Sequence, residues 1–466
     1  MSVESLELLS DVVLLMVLEH LRQDDLLACR LVSKRLGRLV LRHRVWRHRH
    51  LYLDDYRAGA VLRLAPILKS VTAAAHRTLP LITSTCAIKG LELRDEVGHI
   101  VNASNLALVI RVQESLGRLR HLVISFLNLV TGADALMRTL AVVSDLESLR
   151  IVGCVPSTTH RVVQASPSPS LKVFRCELTK DSESFVNTVL GAHAETLEDV
   201  GLCSGGYFGV GYSGESDTTA RLLATMPRLQ KLECEALPGL QAVAVCAALH
   251  HVTVNVPSFK QRTIEWAAEL LRAGPMRSVC LNYDVFNYEV GSKLIEALGE
   301  RGGSPLEFLA IIKVPQVGPL LRALPSLPAL RELQLLETPQ DDADELLRGL
   351  TPQVAPALRI LGLTASGIII SGLTATARRR VECAHEWLHG DGVKAAVVNN
   401  PLLHTELRNT SACGDCEACM QGCHQEVMWG GDLGLFSHDL DKCPSPEDHI
   451  DTDSRRSWVQ IRENVA

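Results

Sequence analysis

LPALRELQL, residues 327–335, carries leucines at 330, 333 and 335. The last two stand two residues apart, so on a short strand they point to the same face. The same phrase recurs along the chain as LRHLVIS (119–125), LESLRIVGC (146–154), SPSLKVFRC (168–176), TLEDVGLC (196–203), MPRLQKLEC (226–234), GPMRSVCL (274–281), SPLEFLAI (304–311) and APALRILGL (355–363). IKGLEL (88–93) and LHHVTVNV (249–256) are weaker copies. Leading positions 119, 146, 171, 197, 229, 249, 276, 306, 330 and 358 lie 20 to 32 residues apart. A period in the twenties is the signature of a solenoid. Each turn leaves an apolar face that only neighbouring turns cover. Stretches of helical character, such as ADALMRTLAVV, IEWAAELLRA and VGSKLIEALGE, lie between the phrases. Parallel strands with returning helices predict an α/β horseshoe over 88–375.

Composition agrees with many thin layers rather than one deep core. Of 466 residues 47% are apolar and only 4% aromatic, so packing falls to Leu, Val, Ile and Ala. The net charge of −6 offers no global attraction to nucleic acid or to an anionic membrane. The one basic run, LRHRVWRHRH (41–50), reads as a solvated helix end. The apolar run Val12 to Leu18 has seven residues, against about 20 for a membrane span, and no basic segment precedes it. The expectation is a cytoplasmic or nuclear protein whose 14 cysteines are thiols or metal ligands.

Ahead of the repeats, LSDVVLLMVLEHL (9–21) places Val13, Val17 and Leu21 on one helix face, and DDLLACRLVSKRLGRLV (24–40) continues with two further short helices. Asp24 is expected to cap the second. These helices are too few to bury their own apolar faces and need a partner. Leu9, Val13, Val17, Leu18, Leu21, Asp25, Leu26, Val32, Ser33, Lys34 and Arg35, with Trp46 trailing, resemble the F-box pattern of Leu-Pro-x-Glu-Ile-x-x-x-Ile-Phe-x-x-Leu, Asp-Leu and Val-Cys-Lys-x-Trp. Ser10 stands in place of the family's proline, Val12 in place of its acidic residue and Leu36 in place of its tryptophan. The resemblance covers about 40 residues. With the leucine-rich phrases behind it, the chain resembles an F-box protein with leucine-rich repeats. That resemblance implies a non-catalytic substrate receptor of a Skp–cullin–F-box ubiquitin ligase. The Skp-type adaptor, and through it the cullin, would dock on Leu9, Ser10, Val13, Val17, Leu18, Leu21, Leu26, Val32 and Leu36. A protein substrate would bind the solenoid and be passed to proteasomal degradation. The rival reading is a non-ligase leucine-rich-repeat scaffold or metal-responsive interaction protein.

Residues between the inward leucines face the opposite side of the sheet. Among them Phe308 and Ile312 are expected to anchor a substrate side chain beside Leu336, with Arg150 and Arg175 favouring an acidic segment. GVGYSG (209–214) formally reads G-x-G-x-x-G, but it begins six residues past Cys203, where the strand ends, and the repeat runs through it. It is expected to be an enlarged loop.

The expected organisation is an F-box module over 5–50, a helical linker and solenoid cap over 51–87, repeats over 88–375, a terminal cap over 376–403 and a Cys-rich, partly disordered acidic tail over 404–466. VKAAVVNN (393–400) is expected to be a last strand. In the tail, Cys413, Cys416, Cys419 and Cys423 stand as C-x2-C-x2-C-x3-C, with His404, His424, His438 and Cys443 nearby. Such thiolates converge on one soft metal without long-range folding. Zinc, an iron–sulfur cluster, or no metal at all remain open readings.

Overall fold

The computed structural model describes residues 9–96, 99, 101–126, 130–131, 133–153, 155, 168–203, 216–256, 261–283, 288–300, 303–312, 317–338, 340–365, 387–410, 417–422, 431–443 and 456–461. The chain divides into two compact units, Met1–Leu229 and Gln230–Ala466.

The first unit opens on four helices, α1 (Asp11–His20), α2 (Gln23–Val32), α3 (Lys34–Val40) and α4 (His43–Trp46). A parallel sheet follows, in the order β1 (His50–Tyr52), β2 (Ile67–Ala74), β3 (Ala87–Arg94), β5 (His121–Phe126), β7 (Ser148–Gly153), β8 (Val173–Arg175) and β9 (Asp199–Gly201). Two short strands, β4 (Val101–Asn102) and β6 (Val130–Thr131), pair separately. Helices α5 (Ala58–Leu64), α6 (Leu79–Ile82), α7 (Ala103–Ser115), α8 (Ala133–Val142), α9 (Glu183–Ala192) and α10 (Thr218–Ala224) return the chain between strands.

In the second unit β10 (Lys231–Glu235), β11 (His251–Val256), β12 (Ser278–Tyr283), β13 (Phe308–Ile312), β14 (Glu332–Thr338), β15 (Ile360–Ala365) and β16 (His404–Thr410) pair in parallel. The returning helices are α11 (Gln261–Ala273), α12 (Tyr288–Gly299), α13 (Val317–Ala323), α14 (Gln340–Gly349) and α15 (Asp391–Asn399), each packed on the next. Beyond the short helix α16 (Glu417–Gln421), β17 (Gly431–Phe436) pairs antiparallel with β16, and β18 (Arg456–Gln460) runs parallel to β17.

The recurring leucine phrase explains this ladder. In LPALRELQL, Leu330, Leu333 and Leu335 are all buried. The equivalent triplets, from Leu119, Leu122 and Ile124 through Leu358, Leu361 and Leu363, are buried in every one of the ten copies. The strands are aligned so that the middle residue of each triplet meets that of the next: Leu122 with Leu149, then Phe174, then Val200 in the first unit. In the second, Leu232 leads through Val252, Val279, Leu309 and Leu333 to Leu361. Each such side chain withdrawn from water contributes about 1.5–3 kcal/mol, and a one-residue slip would turn the row to the opposite face. Gly153 ends β7 at φ +87°, and any β-carbon there would collide with the Phe126 carbonyl of the neighbouring strand.

Three expectations are revised. The sheet begins at His50, the last residue of the expected F-box segment, and runs through the expected helical linker, because ILKSVTAA supplies a strand whose Leu68 and Val71 lie against Ile88 and Leu91 of β3. VKAAVVNN is helical, not a strand. Val393 and Ala396 are buried one turn apart, and α15 lies against α14. Beyond residue 404, the tail contributes β16, β17 and β18 to the second unit's sheet. GVGYSG lies outside the described residues. Among the described residues no helix is long and apolar enough to cross a membrane.

Candidate functional site

The four N-terminal helices hold together from one side and leave the other bare. Ser10 caps α1, its hydroxyl accepting from the Val13 N–H at 3.4 Å, and Ser33 caps α3 by accepting from the Leu36 N–H at 3.2 Å. Asp24 does not cap α2. It lies in that helix's first turn and pairs with Arg57, because the helix already begins at Gln23. Leu14, Leu18, Leu26, Leu39, Val40, Val45 and Trp46 form the interior. The Trp46 indole N–H donates to the Val40 carbonyl at 2.6 Å.

Most of the basic run 41–50 is solvated, with Arg42, His43, Arg44, Arg47 and His48 exposed, but its end turns back onto the bundle. Arg49 lies over the Trp46 ring and donates to the carbonyls of Leu18 and Glu19 at 3.0 and 3.1 Å. These are carbonyls at the open end of α1. Arg44 pairs with Glu19, and Gln23 donates to the His50 carbonyl at 2.6 Å, joining α2 to the first strand.

The opposite surface is apolar and exposed. Val12, Val13, Met16 and Val17 lie along α1 and Leu31 and Val32 end α2, with Val17 47% and Leu31 83% exposed. Of the expected docking residues, Val13, Val17 and Val32 are on this surface, while Leu9, Leu21 and Leu36 are half-buried and Ser10 is exposed. Leu18 and Leu26 are instead inside the bundle, Leu26 at 0% exposure. Leu18 is turned inward because it falls one helical step from the exposed Val17. Val12, Met16 and Leu31 were missed by the sequence reading. The pair 12/16 at i, i+4, beside 13/17, is the signal that marks the first two.

On the strand face away from the buried leucines, Arg150 and Arg175 are cross-strand partners. Arg150 is exposed, whereas Arg175 donates to Asp199 at 3.0 Å and lays its stem over Gly201. Phe308 and Ile312 are half-buried on β13. Ile312 meets Leu336, as expected, but Phe308 sits between Ser278 and Glu332, so polar side chains interrupt the apolar row.

Of the four cysteines expected to bind metal, Cys419 is buried in α16, and Cys413, Cys416 and Cys423 lie outside the described residues. The structure brings together a different set, His404, His438 and Cys443, whose ligating atoms all lie within 4.8 Å of one another.

A search among curated proteins finds no match to the chain. Residues 6–48 match the family model for the F-box domain. That span takes in α1–α4 with their exposed valines: the chain carries an F-box domain, which supports a role as an adaptor-binding protein in Skp–cullin–F-box ligases.

Proposed function

We propose that this chain is the substrate-recognition subunit of a Skp–cullin–F-box ubiquitin ligase. In this reading the F-box holds a Skp-type adaptor and, through it, the cullin. The strands behind it form a leucine-rich-repeat solenoid that holds a protein destined for proteasomal degradation. The observation that carries the reading is the exposed apolar face of Val12, Val13, Met16 and Val17 on α1, with Leu31 and Val32 also exposed at the end of α2, inside the matched domain. An exposed apolar helix face marks a protein-interaction surface. The ten buried apolar triplets at one repeated spacing support the solenoid. The chain itself is non-catalytic in this reading. It raises the effective concentration of the substrate near a ubiquitin-charged enzyme and takes no part in bond making.

Affinity capture of the full chain with adaptor and cullin tests this. The double variant Val13→Asp/Val17→Asp places charges on the exposed surface and is expected to lose the adaptor while its circular dichroism and melting temperature stay those of the parent. Leu26 is unsuitable for such a test, because a charge there would unfold the bundle. Full retention of adaptor and cullin by the double variant would overturn the reading in favour of a scaffold outside the ligase.

A further inference from the structure

The second unit ends in a junction at which three metal-binding side chains meet. His404 opens β16, His438 follows two residues after β17, and Cys443 follows the 3-10 turn Leu440–Lys442. His404 Nε2 stands 3.3 Å from His438 Nε2 and 3.5 Å from Cys443 Sγ. Tetrahedral zinc, with bonds of about 2.0–2.1 Å to nitrogen and about 2.3 Å to sulfur, sets its nitrogens about 3.3 Å apart and nitrogen and sulfur about 3.6 Å apart. These two separations are those of zinc ligands, and the third pair, His438 and Cys443, lies within 4.8 Å.

His438 Nδ1 lies 3.0 Å from the Pro401 carbonyl, which only accepts, so Nδ1 is the donor there and Nε2 is the nitrogen turned toward His404. The Pro401 carbonyl then acts as the outer partner that fixes a ligating imidazole.

The surroundings suit a metal held for structure. His404 is 0%, His438 7% and Cys443 9% exposed. The Trp458 ring stands 5.6 Å from His404 and Phe436 5.5 Å from His438. Trp458 lies flat over Gly434, where any β-carbon would strike the indole. One thiolate and two imidazoles match the preference of zinc for sulfur and nitrogen donors.

We propose that His404, His438 and Cys443 supply three ligands of a tetrahedral zinc site, the fourth position going to water or a further donor, that ties the segment after β17 to the start of β16 at the end of the repeat array. Both imidazoles bind neutral through Nε2, and the Cys443 thiol releases one proton for each ion taken up. The three ligands lie outside the cysteine run 413–423 and outside the F-box.

Elemental analysis and cobalt substitution of the full chain test the proposal. About one zinc per chain is expected, lost in His438→Gln and Cys443→Ser and retained in the Cys413→Ser/Cys416→Ser double variant. The cobalt-loaded parent is expected to show a thiolate-to-cobalt charge-transfer band that Cys443→Ser abolishes. X-ray absorption of the parent needs no variant and is expected to give one sulfur with nitrogen or oxygen neighbours. Three or four sulfurs in that shell, a charge-transfer band that survives Cys443→Ser, or metal-free protein that takes up no added zinc would each overturn it.

Discussion

Arg35 on α3 grips Asp11 at the start of α1, its Nε and one terminal nitrogen donating to the same carboxylate oxygen at 2.8 and 2.6 Å. That terminal nitrogen also donates to the Leu9 carbonyl at 2.7 Å. The pair is partly exposed, so its worth to stability is about 1 kcal/mol or less. Its larger effect is geometric, since it holds the first turn of α1, with Val12 and Val13, against the helix that follows Val32. Arg35→Ala is therefore expected to lower stability by no more than about 1 kcal/mol yet to weaken adaptor binding several-fold. Denaturant titration alongside a binding isotherm checks this, and equal binding by both forms would show that the contact does not position the surface.

Gln113 is a fully buried polar side chain on α7. Its Oε1 accepts from the Ile88 N–H at 3.0 Å and its amide donates to the Cys86 carbonyl at 3.3 Å, serving the backbone where β3 begins. Gln113→Leu keeps the volume and strands both backbone groups, an expected loss of about 1–3 kcal/mol. Equilibrium unfolding in urea measures it. No change would mean that water or a shifted backbone replaces the amide.

His193 gives the first unit an acid-sensitive point. Its Nδ1 accepts from the Ser170 N–H at 3.1 Å, and burial lowers its pKa to about 4. An unfolded histidine titrates near 6.5, so below that pH the unfolded chain takes up a proton that the folded chain refuses. The contribution is whole above about pH 6.5 and falls as pH drops toward 4. Between pH 7 and 5 the parent is expected to lose roughly 1–2 kcal/mol more than His193→Asn, whose side-chain oxygen accepts the same bond without titrating. Parallel pH dependences for the two proteins would remove His193 as the cause.

The substrate face divides the proposal for binding. Phe308→Ala is expected to weaken capture of the bound protein by about 2 kcal/mol with adaptor recovery unchanged. Proximity labelling from the parent and the variant reads this directly. Unchanged labelling, together with loss in Arg150→Ala/Arg175→Ala, would shift the site to the first unit. Because Arg175 is already held by Asp199, the exposed Arg150 is expected to carry most of that double-variant effect.

The sequence by itself determined the repeating strands and the N-terminal helices. Both follow from local spacing: leucines at three fixed offsets make one buried edge per turn, and valines at i, i+4 make one helix face. Which side of that helix is bare was decided only by tertiary structure. Val17 and Leu18 are neighbours in the chain, and the buried Trp46 with its Arg49 lid determines which of them meets solvent. The tail shows the same limit from the other direction. Close spacing drew attention to the cysteines from 413 to 423, because near ligands need no fold to converge. His404 lies 34 residues before His438, and only the antiparallel return of β17 onto β16 brings their nitrogens together.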